Sequence, residues 1–167
     1  MELAQRFYAA GTELFERAAA GEDVSDAFEY WELVDPDVVL VEVAEFPDAA
    51  TYRGIDQVRG WLQAFFDIFD TISVEPQEFI PVGDHVVVPT RQRFRSKAGV
   101  AVEQEITQVL QFRAGRVIYA TGFRDRMNAL KAVGLPASLT QNEYSSSVTT
   151  AGAARQAESR SGRCRRR

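Results

Sequence analysis

The sequence predicts an α+β fold in which a mostly antiparallel sheet packs against helices. Helical periodicity dominates the first seventy residues, strand periodicity runs from residue 73 to residue 123, and a short amphipathic stretch follows. Val100–Leu135 shows the last two features together. Its strand-like runs V-A-V-E-Q-E-I-T-Q-V-L-Q-F and V-I-Y-A-T-G-F flank a tight turn at Ala114-Gly115, and R-D-R-M-N-A-L-K-A-V-G-L then reads as a closing helix.

Residues 3–20 place Leu3, Phe7, Ala10, Leu14 and Ala18 at helical spacing, a single apolar stripe that Tyr8 and Phe15 widen. Gly21 stops this helix, Ser25-Asp26 can cap a second through Phe28, Trp31 and Val34, and Pro36 ends it. Val38–Val43 is β-branched and apolar, hence a strand, with Glu42 as the one charge on the face of Val38 and Leu40. After a loop at Glu45–Asp48, Thr51-Tyr52-Arg53 forms a short return strand ending at Gly54. Ile55–Asp70 is a third helix with Val58, Leu62, Phe65 and Phe69 on one face, extended by Trp61 and Ile68.

Ser73–Val82 contains Pro76 and Pro81, which suits an edge or irregular strand. Gly83-Asp84 turns the chain into His85–Ser96, where Val86, Val88, Thr90, Gln92 and Phe94 share a face opposite Arg91, Arg93 and Arg95. In the next strand Gln104, Ile106, Gln108, Leu110 and Phe112 oppose Glu103, Glu105, Thr107, Val109 and Gln111. Antiparallel pairing then sets the arginines against Glu103 and Glu105, with the helices on one face of the sheet.

The chain has 167 residues, enough for one domain with a proper core, and its composition is ordinary for a globular protein. Residues 1–135 hold 13 Lys+Arg against 22 Asp+Glu, and residues 136–167 hold 6 Arg against 2 Glu. An acidic body argues against nucleic-acid binding. No apolar run reaches membrane-helix length and no signal-peptide core is visible, so a cytoplasmic location and no membrane association are expected. Residues 136–167, poor in large apolar side chains, read as a disordered tail. The one cysteine, Cys164, lies in that tail, and the one histidine, His85, reads as a surface residue, so neither a metal site nor a disulfide is expected. No glycine-rich phosphate loop is present and no cofactor is implied.

The chain resembles the nuclear transport factor 2-like superfamily, in particular its SnoaL-like and ketosteroid-isomerase-like branch. The resemblance rests on Leu33-Val34-Asp35-Pro36-Asp37-Val38-Val39 and Tyr52-Arg53-Gly54 leading into a helix. It continues through Val109-Leu110-Gln111-Phe112-Arg113-Ala114-Gly115-Arg116-Val117 and Phe123-Arg124-Asp125-Arg126 before the last short helix. It spans residues 1–135 and implies a curved, cone-like sheet wrapped around helices, with a pocket on the concave side. Dimerisation through the outer sheet face is common in the resembling proteins. Here that face would carry Val109, Tyr119, Thr121 and Phe123, which predicts a homodimer.

Members of this superfamily include isomerases, cyclases, dehydratases and non-catalytic binding modules, so the site residues must be weighed singly. Glu42 is the leading candidate, because burial on an apolar face disfavours a charged carboxylate and tunes it toward general-base work. The resemblance also puts Glu42 where ketosteroid-isomerase-like enzymes hold their base. Those enzymes stabilise the enolate oxygen with a tyrosine and a protonated aspartic acid. Here Leu14 and Gln108 stand at the two positions, and Gln108 retains a donor. Tyr8 lies six residues before Leu14 and is expected to project elsewhere. The last-strand base of polyketide cyclases is replaced by Gly122, and the epoxide-hydrolase pattern finds only Arg124 with Asp37 and Asp48.

Thr90, Gln92 and Gln104 would join Gln108 in a neutral polar patch facing Trp61, Phe65, Phe66 and Phe94, with Leu14 and Leu40 completing a pocket for a small hydrophobic molecule. Alternatively, Phe94 and Phe112 simply fill the interior. Two functions follow. One is a cofactor-independent isomerase, cyclase or dehydratase acting on a carbonyl compound, with Glu42 as acid/base and Gln108 as polarising donor. The other is a non-catalytic ligand-binding or dimerisation module.

Overall fold

A computed structural model of the chain describes residues 1–135. The tail expected at 136–167, Cys164 included, lies outside the described residues. The chain begins with α1 (Glu2–Ala19) and the single turn α2 (Phe28–Trp31), followed by β1 (Val34–Val41), β2 (Thr51–Arg53) and α3 (Ile55–Ile68). Next come β3 (Phe69–Pro76), β4 (Ile80–Val82), β5 (His85–Ser96), β6 (Ala101–Arg113), β7 (Arg116–Phe123) and α4 (Arg126–Ala132). The seven strands form one open, mixed sheet in the order β2-β1-β7-β6-β5-β3, with β4 also paired to β5. β1 and β7 run parallel, and the other paired strands are antiparallel.

The β5–β6 ribbon pairs Arg91 with Glu105, Gln92 with Gln104 and Arg93 with Glu103, as alternation predicts. Outward, Arg93 contacts Glu75 at 2.6 Å and Glu103 at 3.7 Å, and Arg91 approaches Glu105 at 3.7 Å. These exposed pairs set register more than they add stability. At the β6–β7 turn Ala114 (φ 50°) and Gly115 (φ 81°) both take left-handed conformations, as a two-residue hairpin with the sheet's twist requires.

Inward residues build the main core from Tyr8, Leu14, Trp31, Val38, Leu62, Val86, Val88, Leu110 and Val117, among others. They join α1, α2 and α3 to one face of the sheet.

Several features differ from the sequence reading: Phe69, expected on the face of the third helix, begins β3, and the run Ser73–Val82, expected as one strand, is divided between β3 and β4. The second helix is only one turn long, because Ser25 and Asp26 are used elsewhere. The Ser25 N–H donates to Asp23 Oδ1, while Asp26 accepts from Arg17 at 3.1 Å. Pro36 lies inside β1 rather than ending a helix. It sits where the register to β7 shifts between Val34 and Val39, and there the ladder does not need its missing donor.

The helices also occupy both faces, not one. Ala129 and Leu130 of α4 pack with Val87 and Val109 on the outer side, and Phe123 and Met127 flank them. Val109 and Phe123 are therefore covered by the chain's own last helix. Asp125 starts that helix by accepting the Asn128 N–H at 2.9 Å.

Leu130 is 2% exposed, so Leu130→Ala should cost about 2–5 kcal/mol in urea unfolding. Ile68→Ala, at a side chain 56% exposed, should stay within about 0.5 kcal/mol of the parent.

Candidate active site

A cavity of about 320 Å³ opens between α1, α3 and the inner sheet face. The helical turn of α1 points Phe7, Tyr8, Gly11, Thr12 and Phe15 at it, while α3 contributes Trp61, Leu62 and Phe65. From the sheet come Leu40, Gln92, Phe94, Gln104, Ile106 and Gln108. Trp61 stacks on Phe65 with 5.8 Å between ring centroids, and Phe65 meets Phe94 edge-on at 5.3 Å. The aromatic side chains thus form a wall around the cavity rather than filling it. Phe66 is not on the wall; it packs into the core against Phe15.

Glu42 follows the last residue of β1 and is the only charged side chain on the cavity wall among the described residues. Its Oε1 accepts from the indole Nε1 of Trp61 at 2.8 Å, and its Oε2 accepts the Ala50 N–H at 2.9 Å. The Glu42 N–H in turn donates to the Ala50 carbonyl at 3.0 Å, so the chain from 42 to 50 closes on itself. Phe46 of that loop lines the cavity, and the Arg124 guanidinium lies over its ring at 5.3 Å. Arg124 makes no ion pair with Asp37 or Asp48 among the described residues, so that trio is not assembled.

Tyr8 is the functional candidate that sequence reasoning missed. Its hydroxyl donates to Gln108 Oε1 at 2.5 Å across the cavity wall. The buried residues of α1 are Ala4, Tyr8, Gly11 and Leu14, so the helix buries the expected Leu14 but takes Ala4, Tyr8 and Gly11 in place of Leu3, Phe7 and Ala10. At Gly11 an added Cβ would stand 3.5 Å from the Tyr30 ring, an ordinary contact, so this side of α1 faces Tyr30. Burial, then the neighbouring Tyr30, pushes the Tyr8 hydroxyl far above the usual tyrosine range, and it remains a donor at any working pH. Tyr8 occupies the Gln108 carbonyl oxygen, which leaves the Gln108 amide nitrogen to serve a ligand.

Leu14 does not line this cavity. It faces the 26–30 segment beside Ala27 and Phe28. Thr90 is off the lining as well, fully buried and donating to the Ile106 carbonyl at 2.8 Å. It supports the polar patch from behind, because Gln92 Nε2 donates to Thr90 at 3.2 Å and Gln104 Nε2 donates to Gln92 Oε1 at 3.0 Å.

Gly122 belongs to the wall, and a Cβ there would come within 2.7 Å of Val43 Cγ2 and 3.1 Å of Ile106 Cγ2. A last-strand carboxylate therefore has no room unless the side chains of Val43 and Ile106 shift. Val41 pairs with Thr121 and Gly122 pairs with Gln108. Glu42 and Gln108 thus lie in one cross-sheet row, two strand spacings or roughly 10 Å apart at the backbone. Side chains reaching inward from both could flank one small molecule. Among the described residues no three His, Cys, Asp or Glu side chains gather as a metal site requires.

Comparison with known proteins agrees with this architecture. A protein of unknown function from Burkholderia pseudomallei, of the nuclear transport factor 2-like class, superposes with a TM-score of 0.60 at 18% identity, covering 81% of this chain and 97% of its own. A protein classed as a SnoaL-like polyketide cyclase from Jannaschia gives 0.55 at 18% identity, covering 79% and 94%. A protein of ketosteroid-isomerase-like fold from Catenulispora acidiphila, solved with trimethylamine, gives 0.53 at 20% identity, covering 73% and 92%. At such identities the likeness speaks for the fold alone. No curated protein matches the sequence. The description of the SnoaL-like domain matches residues 12–120, and the chain belongs to the SnoaL-like family of the nuclear transport factor 2-like superfamily.

Proposed function

We propose that this protein is a cofactor-independent enzyme that moves a proton beside the carbonyl of a small hydrophobic molecule, as an isomerase, cyclase or dehydratase does. The observation that carries the reading is the Tyr8–Gln108 hydrogen bond in the same cavity as Glu42. It turns the Gln108 amide nitrogen toward the cavity as a donor for an enolate oxygen. Glu42, acceptor-only as a carboxylate, takes the proton from the carbon next to the carbonyl and returns it to the same or a neighbouring carbon. The electron pair passes to the carbonyl oxygen, where Gln108 N–H meets it. Tyr8 is a positioning residue, since its bond to the amide oxygen orients Gln108 and polarises its N–H. Trp61 and the Ala50 N–H hold the base in place.

The alternative is a ligand-binding module in which Glu42 only orients its guest. It is favoured by the same two hydrogen bonds, which would tether a carboxylate equally well in a static site. The proposal extends to a soluble cytoplasmic homodimer, which no nucleic acid or membrane joins. Among the described residues no helix is long and apolar enough to cross a membrane. With Val109 and Phe123 covered by α4, the dimer face is left with Tyr119 and Thr121 at one end of the sheet and, at the other, the alternating Arg91, Arg93, Glu103 and Glu105, a row that is self-complementary about a two-fold axis.

Incubating the protein in deuterated water with phenylcyclohexanone, its phenyl group opposite the carbonyl, tests the chemistry. Wild type should exchange the protons beside the carbonyl, and Glu42→Gln should slow this at least about a hundredfold. Exchange at an unchanged rate in Glu42→Gln, or none in wild type despite binding, would leave the binding module. Tyr8→Phe should slow exchange by about three- to tenfold, with the ketone's Kd nearly unchanged, which separates orientation of Gln108 from general loss of the site. In light scattering at micromolar concentration the protein should have the mass of two chains, and a monomer would remove the dimer.

A further inference from the structure

We infer that the ligand is elongated and carries a hydroxyl at the end remote from its carbonyl, and that Gln104 is the residue that selects for it. The inference rests on the cavity being the ligand site of the proposed reaction, and it comes from the direction of one hydrogen-bond chain.

That chain starts at a group with no choice. The Ile106 carbonyl can only accept, so the Thr90 hydroxyl must donate to it, at 2.8 Å. Having spent its hydrogen, Thr90 can only accept from its next neighbour, so Gln92 presents its amide nitrogen, at 3.2 Å. The Gln92 oxygen is thereby turned the other way and receives the Gln104 amide nitrogen at 3.0 Å. Gln104 is left with its carbonyl oxygen facing the cavity it lines, with no partner among the described residues. Thr90 and Gln92 are both buried, which makes reversing the relay costly. A buried backbone carbonyl thus dictates the polarity of a side chain three bonds away.

Gln108 has the opposite polarity, with its oxygen taken by Tyr8 and its nitrogen facing the cavity. Gln104 and Gln108 are four residues apart on one face of β6, which separates their backbones by roughly 13 Å. Between them on the same face lies Ile106, while Phe94, paired with Val102 and packed on Phe65, lines the cavity just beyond Gln104. The cavity therefore offers a donor at one end, an acceptor at the other and apolar surface between. A ketone at the Gln108 end with a hydroxyl at the Gln104 end matches all three. An ammonium would be drawn to the Glu42 carboxylate rather than to the neutral Gln104 oxygen, so a hydroxyl is the donor that suits the Gln104 end.

Three probes decide it by calorimetric titration: phenylcyclohexanone, its para-hydroxy analogue and its para-methoxy analogue, which is polar but cannot donate. Wild type should bind the hydroxy analogue about three- to tenfold more tightly than the other two. Gln104→Leu should erase that preference and leave the Kd of the parent ketone within about twofold. If Gln104→Leu fails to fold, Thr90→Val carries the test, since it removes the anchor of the relay and should also erase the preference.

Equal binding of hydroxy and parent ketone by wild type would overturn the inference. So would a methoxy analogue binding as tightly as the hydroxy, or a preference that survives in either variant. Each of these leaves the proton-transfer reading intact, because they concern binding alone. Probes that bind with the hydroxyl preference but do not exchange deuterium would instead sustain the inference and sink the proton transfer. If none of the probes binds at millimolar concentration, both fall.

Discussion

The register of β5 against β6 is the constraint on which the rest of this structure depends. The two strands pair without a break from His85 opposite Gln111 to Arg95 opposite Ala101. Because side chains alternate, a slip of one residue in β6 would turn Gln104, Ile106 and Gln108 out to solvent and bring Glu103 and Glu105 into the core. Burying those two charges without partners would cost far more than the ladder gains. The arginines of β5 reinforce the choice from outside, since only the observed register faces Arg91 and Arg93 with acids. The exposed ion pairs contribute little free energy and much specificity. The cavity floor is the inner side of that same ribbon.

A second constraint closes the other side of the cavity. Glu42 is joined to α3 through Trp61 and to its own loop through Ala50, so helix, strand end and loop meet at one carboxylate. Leaving a charge on an apolar wall is expensive unless it is hydrogen-bonded, and both oxygens are. Burial also pushes up the Tyr52 hydroxyl, with the Glu42 charge adding to it, so the surroundings of this carboxylate hold no second anion. A single negative charge in an aromatic cavity without Lys or Arg repels an acidic guest.

Most of the architecture was legible in the sequence because it is written in periodicity. The order of helices and strands, the alternation along β5 and β6, the Arg–Glu ladder and the two-residue turn at Ala114-Gly115 all follow from spacing and residue type. What spacing could not resolve was phase and destination. α1 carries two apolar stripes, Leu3-Phe7-Ala10-Leu14 and Ala4-Tyr8-Gly11-Phe15, and hydrophobicity alone favours the first. The fold draws on both: Ala4, Tyr8, Gly11 and Leu14 are buried, Phe7, Tyr8, Gly11 and Phe15 line the cavity, and this phase puts Tyr8 on Gln108. α4 is amphipathic, but its sequence does not say which face of the sheet it will cover. The outer residues Val87 and Val109 settle that through their packing. Glu42, Gln92, Gln104 and Gln108 were readable as inward-facing, whereas the direction of their hydrogen bonds was not, because it is set by Ile106 C=O through Thr90.

Gly122 shows why one fold can hold the expected chemistry in one place and forbid it in another. Its missing side chain admits the methyls of Val43 and Ile106, so the wall is closed where a last-strand acid would otherwise stand. Val43 is next to Glu42, so the packing that excludes an acid from β7 also helps hold Glu42 at the rim of β1. Two carboxylates facing each other across so small a space would raise one another's cost of ionisation, and one would have to stay protonated. With Gly122 there, Glu42 faces no second carboxylate across the row, and the opposite side is left to the neutral amide of Gln108. For the proton transfer proposed above, a carboxylate on one side and an uncharged donor on the other is the polarity required, and that arrangement follows from a glycine as much as from the glutamate.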